Sequence, residues 1–217
     1  LREIELWNSR FQFEWVTFAT EIFFDSDEDI LEFCREYKRM GIGKPWSCCF
    51  RMDQSAELLP VMKDAGCAMI CAGLESGSES VLPRLKRGCT VEQFKRTLDA
   101  TRRIGLVMDS PFMMTNEDET EEDLNKTIDF VIENRMDANF GLVGTYPGTP
   151  IYQRALRKGL IGDEWDYITN RMKEWAWRSP SLSELSYFNI SAIPDDRALE
   201  TVYRQVRRYY TFQHREF

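Results

Sequence analysis

The sequence predicts an α/β protein built on a parallel sheet, and two observations lead to this prediction. Short runs rich in aromatic, β-branched and sulfur-containing residues alternate with segments whose apolar residues recur at helical spacing. Glycines and helix-capping residues separate the two kinds of segment. Such alternation is typical of parallel strands joined by right-handed crossovers. The predicted strands are 13–19, 46–50, 68–73, 106–114 and 138–143.

Capping residues locate the ends of the predicted helices. Residues 25–29 place a serine and acidic side chains ahead of the helix that follows the first strand. Ser55 is the expected cap of the next helix, and Thr90 with Gln93 has the spacing of a capping box. Pro111 has no backbone N–H, so we expect it to interrupt the pairing of the fourth strand.

Composition and charge exclude several classes of protein. The chain has 217 residues, 43% of them hydrophobic, which is enough for a sizeable core. Its net charge of −8 gives no general nucleic-acid footprint, and no apolar run is long enough to span a bilayer. A glycine-rich phosphate loop is absent. Glu75 occupies the place that a serine would need in a hydrolase-type turn.

The cysteines and the single histidine, His214, give no metal-binding or triad pattern. No two cysteines are spaced CxxC, so a zinc site is not expected. A Ser-His-Asp triad is not expected either, because His214 lies in the C-terminal tail. We interpret the cysteines as mostly small buried thiols in a reducing, cytoplasmic protein. They are Cys34, Cys48, Cys49, Cys67, Cys71 and Cys89.

Two unusual stretches each have a functional and a structural interpretation. The acidic run 115–123 could bind a metal, but acids cluster at helix N-termini and an apolar helical pattern follows directly, which favours the structural interpretation. An aromatic cluster could cover an apolar substrate, although aromatic residues more often pack. It comprises Trp165, Tyr167, Trp175 and Trp177.

Polar side chains follow three predicted strands, at the point where each strand ends. Glu21 follows the first strand, Arg51 the second, and Glu75 with Ser76 the third. The carboxyl ends of parallel strands lie at one edge of a sheet, where ligands bind in folds of this class. These side chains are therefore the candidates for a binding site.

The order of these motifs resembles the catalytic barrel of radical S-adenosylmethionine enzymes, most closely the branch that often carries an upstream cobalamin-binding domain. The resemblance covers about residues 1–160, and each motif alone is weak. The residues that carry it are Thr20-Glu21-Ile22-Phe23, Cys49-Phe50-Arg51-Met52-Asp53, Gly66-Cys67, Gly73-Leu74-Glu75-Ser76-Gly77-Ser78, Leu82, Lys86-Arg87-Gly88 and Tyr146-Pro147-Gly148-Thr149-Pro150-Ile151-Tyr152.

The resemblance implies a partial (β/α)6 parallel barrel, TIM-like, that lacks its first strand in this sequence. Strands 2 to 6 would lie within residues 1–160, and residues 161–217 would form an aromatic and helical C-terminal extension. In this family S-adenosylmethionine is cleaved reductively to a 5′-deoxyadenosyl radical by a [4Fe–4S] cluster.

The sequence departs from the family pattern in two places. The family's cluster is held by CxxxCxxC after the first strand, and no cysteines here have that spacing. Either the segment that carries this motif has been cut off or the protein has lost it. The start of the sequence inside a helical pattern favours the first, with the cluster ligands in a missing N-terminal segment or domain. The family's GxPxE-like turn reads Thr115-Asn116-Glu117-Asp118-Glu119-Thr120 here, so that only Glu119-Thr120 match its end.

The resemblance also implies roles for individual residues toward S-adenosylmethionine. Arg51 would pair with the methionyl carboxylate, and Glu75 with Ser76 would take the amino group or the ribose. Glu21 lies at the same edge, and an ion pair between Arg51 and a neighbouring glutamate is the structural alternative. The residues expected to line adenine are Phe112, Met113 and Tyr146.

Two functions from different classes follow. The first is part of the catalytic core of a radical enzyme acting on a small-molecule substrate, with cobalamin as a further cofactor and methyl transfer as a candidate reaction. The second is a barrel-derived binding or scaffold domain without redox chemistry, which the altered turn at 115–120 favours. The open sheet edge left by the missing strand is expected to be covered by the N-terminal helix or by another chain, which would include self-association.

Overall fold

A computed structural model describes residues 1–85, 88–171 and 188–216 of the chain. Five strands form one sheet in the order β1-β2-β3-β4-β5, so that each strand neighbours the next in the chain. The registered pairs from β1 to β4 are parallel. This arrangement confirms the predicted α/β class. The strands are β1 (Val16–Phe18), β2 (Trp46–Cys49), β3 (Cys67–Cys71), β4 (Val107–Met114) and β5 (Ala138–Leu142).

Helices occupy the connections between the strands and continue beyond β5. A π-helical turn, Tyr167–Arg171, directly follows the short helix α7. The helices are α1 (Arg2–Arg10), α2 (Asp27–Arg39), α3 (Leu58–Asp64), α4 (Val91–Arg103), α5 (Glu121–Glu133), α6 (Pro150–Arg157), α7 (Glu164–Asp166) and α8 (Ala198–Glu216). Within the described ranges, no helix is long and apolar enough to cross a membrane.

Two helix starts follow the expected capping chemistry, and one does not. Ser26 accepts a hydrogen bond from the backbone N–H of Asp29, and Thr90 and Gln93 form both bonds of a capping box. Ser55 does not cap α3, because that helix begins at Leu58 and has no side-chain cap. Its hydroxyl instead accepts from the N–H of Glu57 in the preceding turn, at 3.2 Å.

The chain divides into two compact units. The first comprises Leu1–Phe112 with Asp129–Phe140, and the second comprises Met113–Ile128 with Gly141–Phe217. The predicted boundary at residue 160 remains a prediction. Trp175 and Trp177 of the predicted aromatic cluster, and Lys86-Arg87 of the family motif, lie outside the described residues.

An aromatic cluster forms the core between α2 and the first strands of the first unit. The buried Trp46 packs against Phe33 with ring centroids 5.2 Å apart and planes at 77°. Its indole N–H donates to the carbonyl of Ala65 at 2.9 Å, so the buried polar group is satisfied. Phe18 and Phe23 extend the cluster. This packing fixes β1 and β2, whose carboxyl ends carry candidate residues.

Alternate residues of strand β4 face two different environments. Its burial alternates from residue to residue, with Met108, Ser110 and Phe112 buried and Asp109 and Pro111 only half-buried. The parallel pairing of β3 with β4 extends to Asp109 of β4, and one isolated bridge then joins Glu75 to Phe112. The interrupted pairing around Pro111 agrees with the expectation for a residue without a backbone N–H.

The second unit has its own small core and a well-anchored turn. Tyr152, Ala155, Ile161 and Tyr167 form a buried cluster, with Phe188 packed against it. The hydroxyl of Tyr167 donates to the carbonyl of Thr145 at 3.0 Å. Of the predicted aromatic cluster, Tyr167 therefore packs in this core, whereas Trp165 is 76% exposed.

Candidate functional site

A cavity of about 420 Å³ opens in the first unit, at the carboxyl ends of β1, β2 and β3. Glu21, Arg51 and Glu75, three residues predicted from their positions after the strands, all line it. Asp53 also lines it, so that the charged side chains of its described lining are three carboxylates and one guanidinium. Carboxylates in a cavity wall favour the cationic groups of a ligand, and a guanidinium favours a carboxylate.

Glu75 is held at this cavity by unusual backbone geometry. It is buried, with 7% of its surface exposed, and its φ of +73° lies in the left-handed region that side chains rarely adopt. A Cβ added at Gly73 would collide with Oε1 of Glu75. The glycine therefore leaves the space that the carboxylate occupies. A strained backbone that presents a buried carboxylate to a cavity is typical of functional sites.

Arg51 is paired, but with partners other than those expected. Its Nε and Nη2 donate to the two carboxylate oxygens of Asp53, and Nη1 lies 3.8 Å from Asp25. Arg51 therefore forms an ion pair at this edge, as in the structural alternative, but with aspartates rather than with Glu21 or Glu75, because Asp53 lies only two residues away. The hydrogen bond from Arg51 lowers the pKa of Asp53 and keeps it ionised.

The remaining predicted residues have different surroundings. Ser76 is fully buried, its hydroxyl accepts from the N–H of Ser78, and it is not among the described residues that line the cavity. Phe112 is also buried and packs on Phe140 at 5.9 Å, whereas its neighbour Pro111 lines the cavity. Met113 and Tyr146 belong to the second unit, where Met113 is half-buried and Tyr146 is 51% exposed.

Three thiols in the cavity wall were not assigned to the site by sequence reasoning. Cys89 is buried, but Cys49 and Cys71 are only half-buried, and all three line the cavity. Burial first, and the neighbouring Cys49 and Asp109 in addition, raise the pKa of Cys71 to about 11. The signal in the sequence was strand parity, because Cys71 and Gly73 share one side of β3 and its extension.

The turn that replaces the family's glycine-containing motif lies in the second unit. Thr115 and Asp118 both have positive φ, of 67° and 55°, where glycine would be unstrained. The fully buried Glu119 stabilises the turn by accepting from the backbone N–H and the side-chain amide of Asn116, at 2.8 and 3.3 Å. Burial raises the pKa of Glu119 to about 7. The acidic residues that follow occupy the first turn of α5, as the structural interpretation predicted.

The described residues do not provide a metal site. No group of three or more histidine, cysteine, aspartate or glutamate side chains among them could hold a metal ion. The cavity itself suits an organic ligand, since 420 Å³ falls within the range of roughly 300 to 1,000 Å³ that small-molecule sites occupy. The arrangement can therefore bind and orient a cationic small molecule.

Comparisons with known proteins relate this geometry to one family. Residues 24–131 match the sequence model of the Radical SAM superfamily. The chain is 24% identical over 163 residues to an uncharacterised methyltransferase of Pyrococcus horikoshii, covering 74% of this chain and 36% of that protein. It is 31% identical over 107 residues to the bacteriochlorophyllide d C-8(2)-methyltransferase of Chlorobaculum tepidum, covering 48% of this chain and 24% of that protein. The chain thus spans about a third or less of these relatives' length.

The fold is also similar to that of a solved enzyme. The radical S-adenosylmethionine methyltransferase TsrM from Kitasatospora setae, solved with cobalamin and a [4Fe–4S] cluster bound, superposes with a TM-score of 0.64. The two are 17% identical, and the alignment covers 72% of this chain and 30% of TsrM. This likeness confirms the partial barrel. Together with the match over residues 24–131, it shows that the chain belongs to the radical SAM superfamily of enzymes.

Proposed function

We propose that the cavity holds S-adenosylmethionine, as part of the catalytic core of a radical enzyme that methylates or otherwise functionalises a carbon centre of a small molecule. The observation that carries this proposal is the convergence of Glu21, Arg51 and Glu75 on one cavity at the carboxyl ends of the strands. Superfamily membership and the methyltransferase names of the relatives support it.

The chemistry of the lining matches the groups of the cofactor. S-adenosylmethionine carries a sulfonium and an ammonium, which favour carboxylates such as Glu21 and Glu75. Its own carboxylate favours a guanidinium. Arg51 uses Nε and Nη2 toward Asp53, which leaves Nη1, 3.8 Å from the exposed Asp25, available to a ligand carboxylate. Asp53 then acts as the residue that orients Arg51.

The predicted adenine-lining residues remain proposals of unequal strength. Pro111 already lines the cavity, whereas Met113 is not among the described residues that line it. Phe112 faces the opposite side and packs on Phe140, so any contribution it makes acts through the position of β4. Ser76 and Tyr146 keep their proposed roles without a contact that supports them.

The residues of this chain do not fit the iron–sulfur cluster. Neither the cysteine spacing nor the described arrangement of ligand-type side chains provides its ligands. We propose that a segment outside this sequence supplies them, and that cobalamin, which TsrM binds, is held outside it as well. When bound, these groups supply one-electron chemistry and a methyl group, while this chain binds and orients the S-adenosyl ligand.

Titration calorimetry of the full-length, cluster-reconstituted protein with S-adenosylmethionine tests the proposal. Glu75→Gln should weaken binding about ten- to hundredfold, because a charge-assisted hydrogen bond contributes about 1.5 to 3 kcal/mol. The matched control is Glu133→Gln, an exposed glutamate of the same unit, which should bind like the wild type. Absence of binding heat from the wild-type protein would reject the proposal and leave the scaffold function.

A further inference from the structure

We propose that Cys49 and Cys71, two thiols of the cavity wall, form a reversible disulfide. The pair is then a site of oxidative modification. The inference concerns these two sulfur atoms and is independent of which ligand the cavity takes. It rests on strand register, on the shared cavity and on accessibility.

The register brings the two cysteines directly opposite each other. Cys49 of β2 pairs with Cys71 of β3 in the parallel ladder. Neighbouring strands are separated by about 4.8 Å. That separation falls within the range of roughly 4.4 to 6.8 Å that disulfides span between Cα atoms. The register therefore places the two cysteines at a Cα separation that a disulfide can span.

Both side chains point into the same open space. Each lines the cavity and each is half-buried, so a small oxidant in water can reach them. Cys49 is also one of the groups that raise the pKa of Cys71, together with Asp109 and Glu75, which places the two sulfur groups within interaction distance. Burial, and after it these neighbours, raise the pKa of Cys71 and make its thiolate scarce at neutral pH, so oxidation should be faster in alkaline solution.

A second pair of cysteines on the same strands provides an internal contrast. Cys48 and Cys67 also lie together, because a hydrogen bond between them is the largest cause of the raised pKa of Cys48. Their side chains are 3% and 1% exposed, and their register partners are Ile70 and Trp46 rather than each other. Burial and offset register should therefore keep this pair reduced under conditions that oxidise the cavity pair.

The reaction balances with a peroxide as the oxidant. One thiolate attacks the peroxide to give a sulfenic acid, and the second thiol displaces its oxygen as water. The sum is one hydrogen peroxide and two thiols giving one disulfide and two waters. A dithiol reductant reverses it by thiol–disulfide exchange. The disulfide would link the carboxyl ends of β2 and β3 covalently, two residues before Arg51 and two residues before Gly73.

Mass spectrometry of the peroxide-treated protein tests the inference. Reaction with hydrogen peroxide, followed by maleimide labelling in denaturant, should lower the number of labelled thiols among the six cysteines of this sequence by two, and dithiothreitol should restore them. Trypsin then leaves the crosslink between the peptides 40–51 and 64–84. Fragmentation of the wild-type peptides should assign it to Cys49 and Cys71, a result that does not depend on any variant.

Serine variants separate the four possible crosslinks between these peptides. The crosslink should persist in Cys48→Ser with Cys67→Ser and in Cys89→Ser, and should be lost in Cys49→Ser and in Cys71→Ser. Circular dichroism checks that each variant is folded. Full labelling of Cys49 and Cys71 after treatment, over-oxidation without a crosslink, or fragments that assign the bond to any other pair would overturn the inference.

Discussion

Glu75 combines, at the scale of one residue, a strained backbone with a proposed role in binding. The residue lies in the left-handed region, next to a glycine that leaves room for its carboxylate, and it faces the candidate cofactor cavity. Left-handed backbone costs a non-glycine residue about 1 to 2 kcal/mol. The strain is therefore retained at a place where the side chain has a proposed use.

Replacing Glu75 by glycine or by alanine separates strain from charge. Both variants lack the carboxylate and should bind S-adenosylmethionine weakly, but only glycine relaxes at a φ of +73°. We expect Glu75→Gly to be more stable than Glu75→Ala by about 1 kcal/mol in urea denaturation. Equal stability, or a more stable alanine variant, would show that the backbone at this position is not strained.

Glu119 is a second buried carboxyl group, and its pKa gives stability a defined pH dependence. The pKa is raised from 4.5 to about 7, by burial first and by Asp123 in addition, against the opposing hydrogen bonds from Asn116. Oε1 of Glu119 and Oδ1 of Asn116 have no hydrogen-bond partner among the described residues. A neutral carboxyl group suits these surroundings better than a charged one.

The folded state should therefore lose stability as the pH rises from about 4.5 to about 7. In this interval the folded protein holds a proton on Glu119 that the unfolded chain has released, so ionisation favours unfolding. The loss should approach about 3 kcal/mol at most. Urea denaturation at pH 5 and pH 8 should show a smaller decrease for Glu119→Gln than for the wild type.

The exposed Glu122 in the first turn of α5 provides the control for this measurement. Glu122→Gln should keep the wild-type pH dependence, since its carboxylate pairs with Lys126 in solvent. The difference in unfolding free energy between the wild type and Glu119→Gln is the quantity to compare at the two pH values. If this difference is the same at pH 5 and pH 8, Glu119 is ionised at both and the proposed cause is wrong.

How far single residues could be predicted depended on whether their position carried a signal. Glu21, Arg51 and Glu75 directly follow strands, and the structure brings them together as parallel strands require. Cys49 could not be separated from Cys48, because the run 46–50 shows no alternation that distinguishes the cavity side from the core. The pairing of Arg51 with Asp53 was missed because it depends on side-chain rotamers.

At the scale of elements, a capping residue predicted a helix start correctly where its side chain caps the helix, and wrongly where it takes part in a turn instead. Thr90 and Gln93 form the expected capping box, with N–H to oxygen distances of 2.8 and 3.1 Å. Ser55 failed because its hydroxyl bonds a nearer N–H in a turn. In β4 the apolar run 111–114 hid the alternation that places Phe112 on the side opposite Pro111.

The capping box makes a measurable contribution to the stability of α4. Thr90→Ala removes the acceptor for the N–H of Gln93 and should destabilise the protein by about 1 kcal/mol. Thr90→Ser keeps the hydroxyl and should remain within a few tenths of a kcal/mol of the wild type. A loss of equal size in both variants, measured by urea denaturation, would attribute the effect to the lost methyl group.

The open edge of the sheet also belongs to this scale. Among the described strands β1 pairs with β2, and α1 has no buried residue, so the structure gives no support for α1 as the cover of this edge. Cover by another chain, including self-association, remains a prediction.

At the scale of the whole molecule, the order of weak motifs predicted what no single motif could. The partial barrel and the superfamily are confirmed. The motifs could predict both, because an ordered set of strand-end residues constrains topology as well as chemistry. The reaction remains a proposal, since the chain spans only a part of its relatives and the cluster ligands are not among its described residues. Substrate identity depends on side-chain surroundings that spacing in the sequence does not encode.

A crystal structure of the full-length protein with an oxidised cluster and S-adenosylmethionine would show whether the cofactor binds in this cavity. We expect the methionyl end to lie in the 420 Å³ cavity, with Glu75 and Arg51 within about 3 Å of its amino and carboxylate groups. We also expect Asp53 to keep its hydrogen bond from Arg51. A cofactor bound elsewhere, or one that contacts none of Glu21, Arg51 and Glu75, would contradict the proposed binding site.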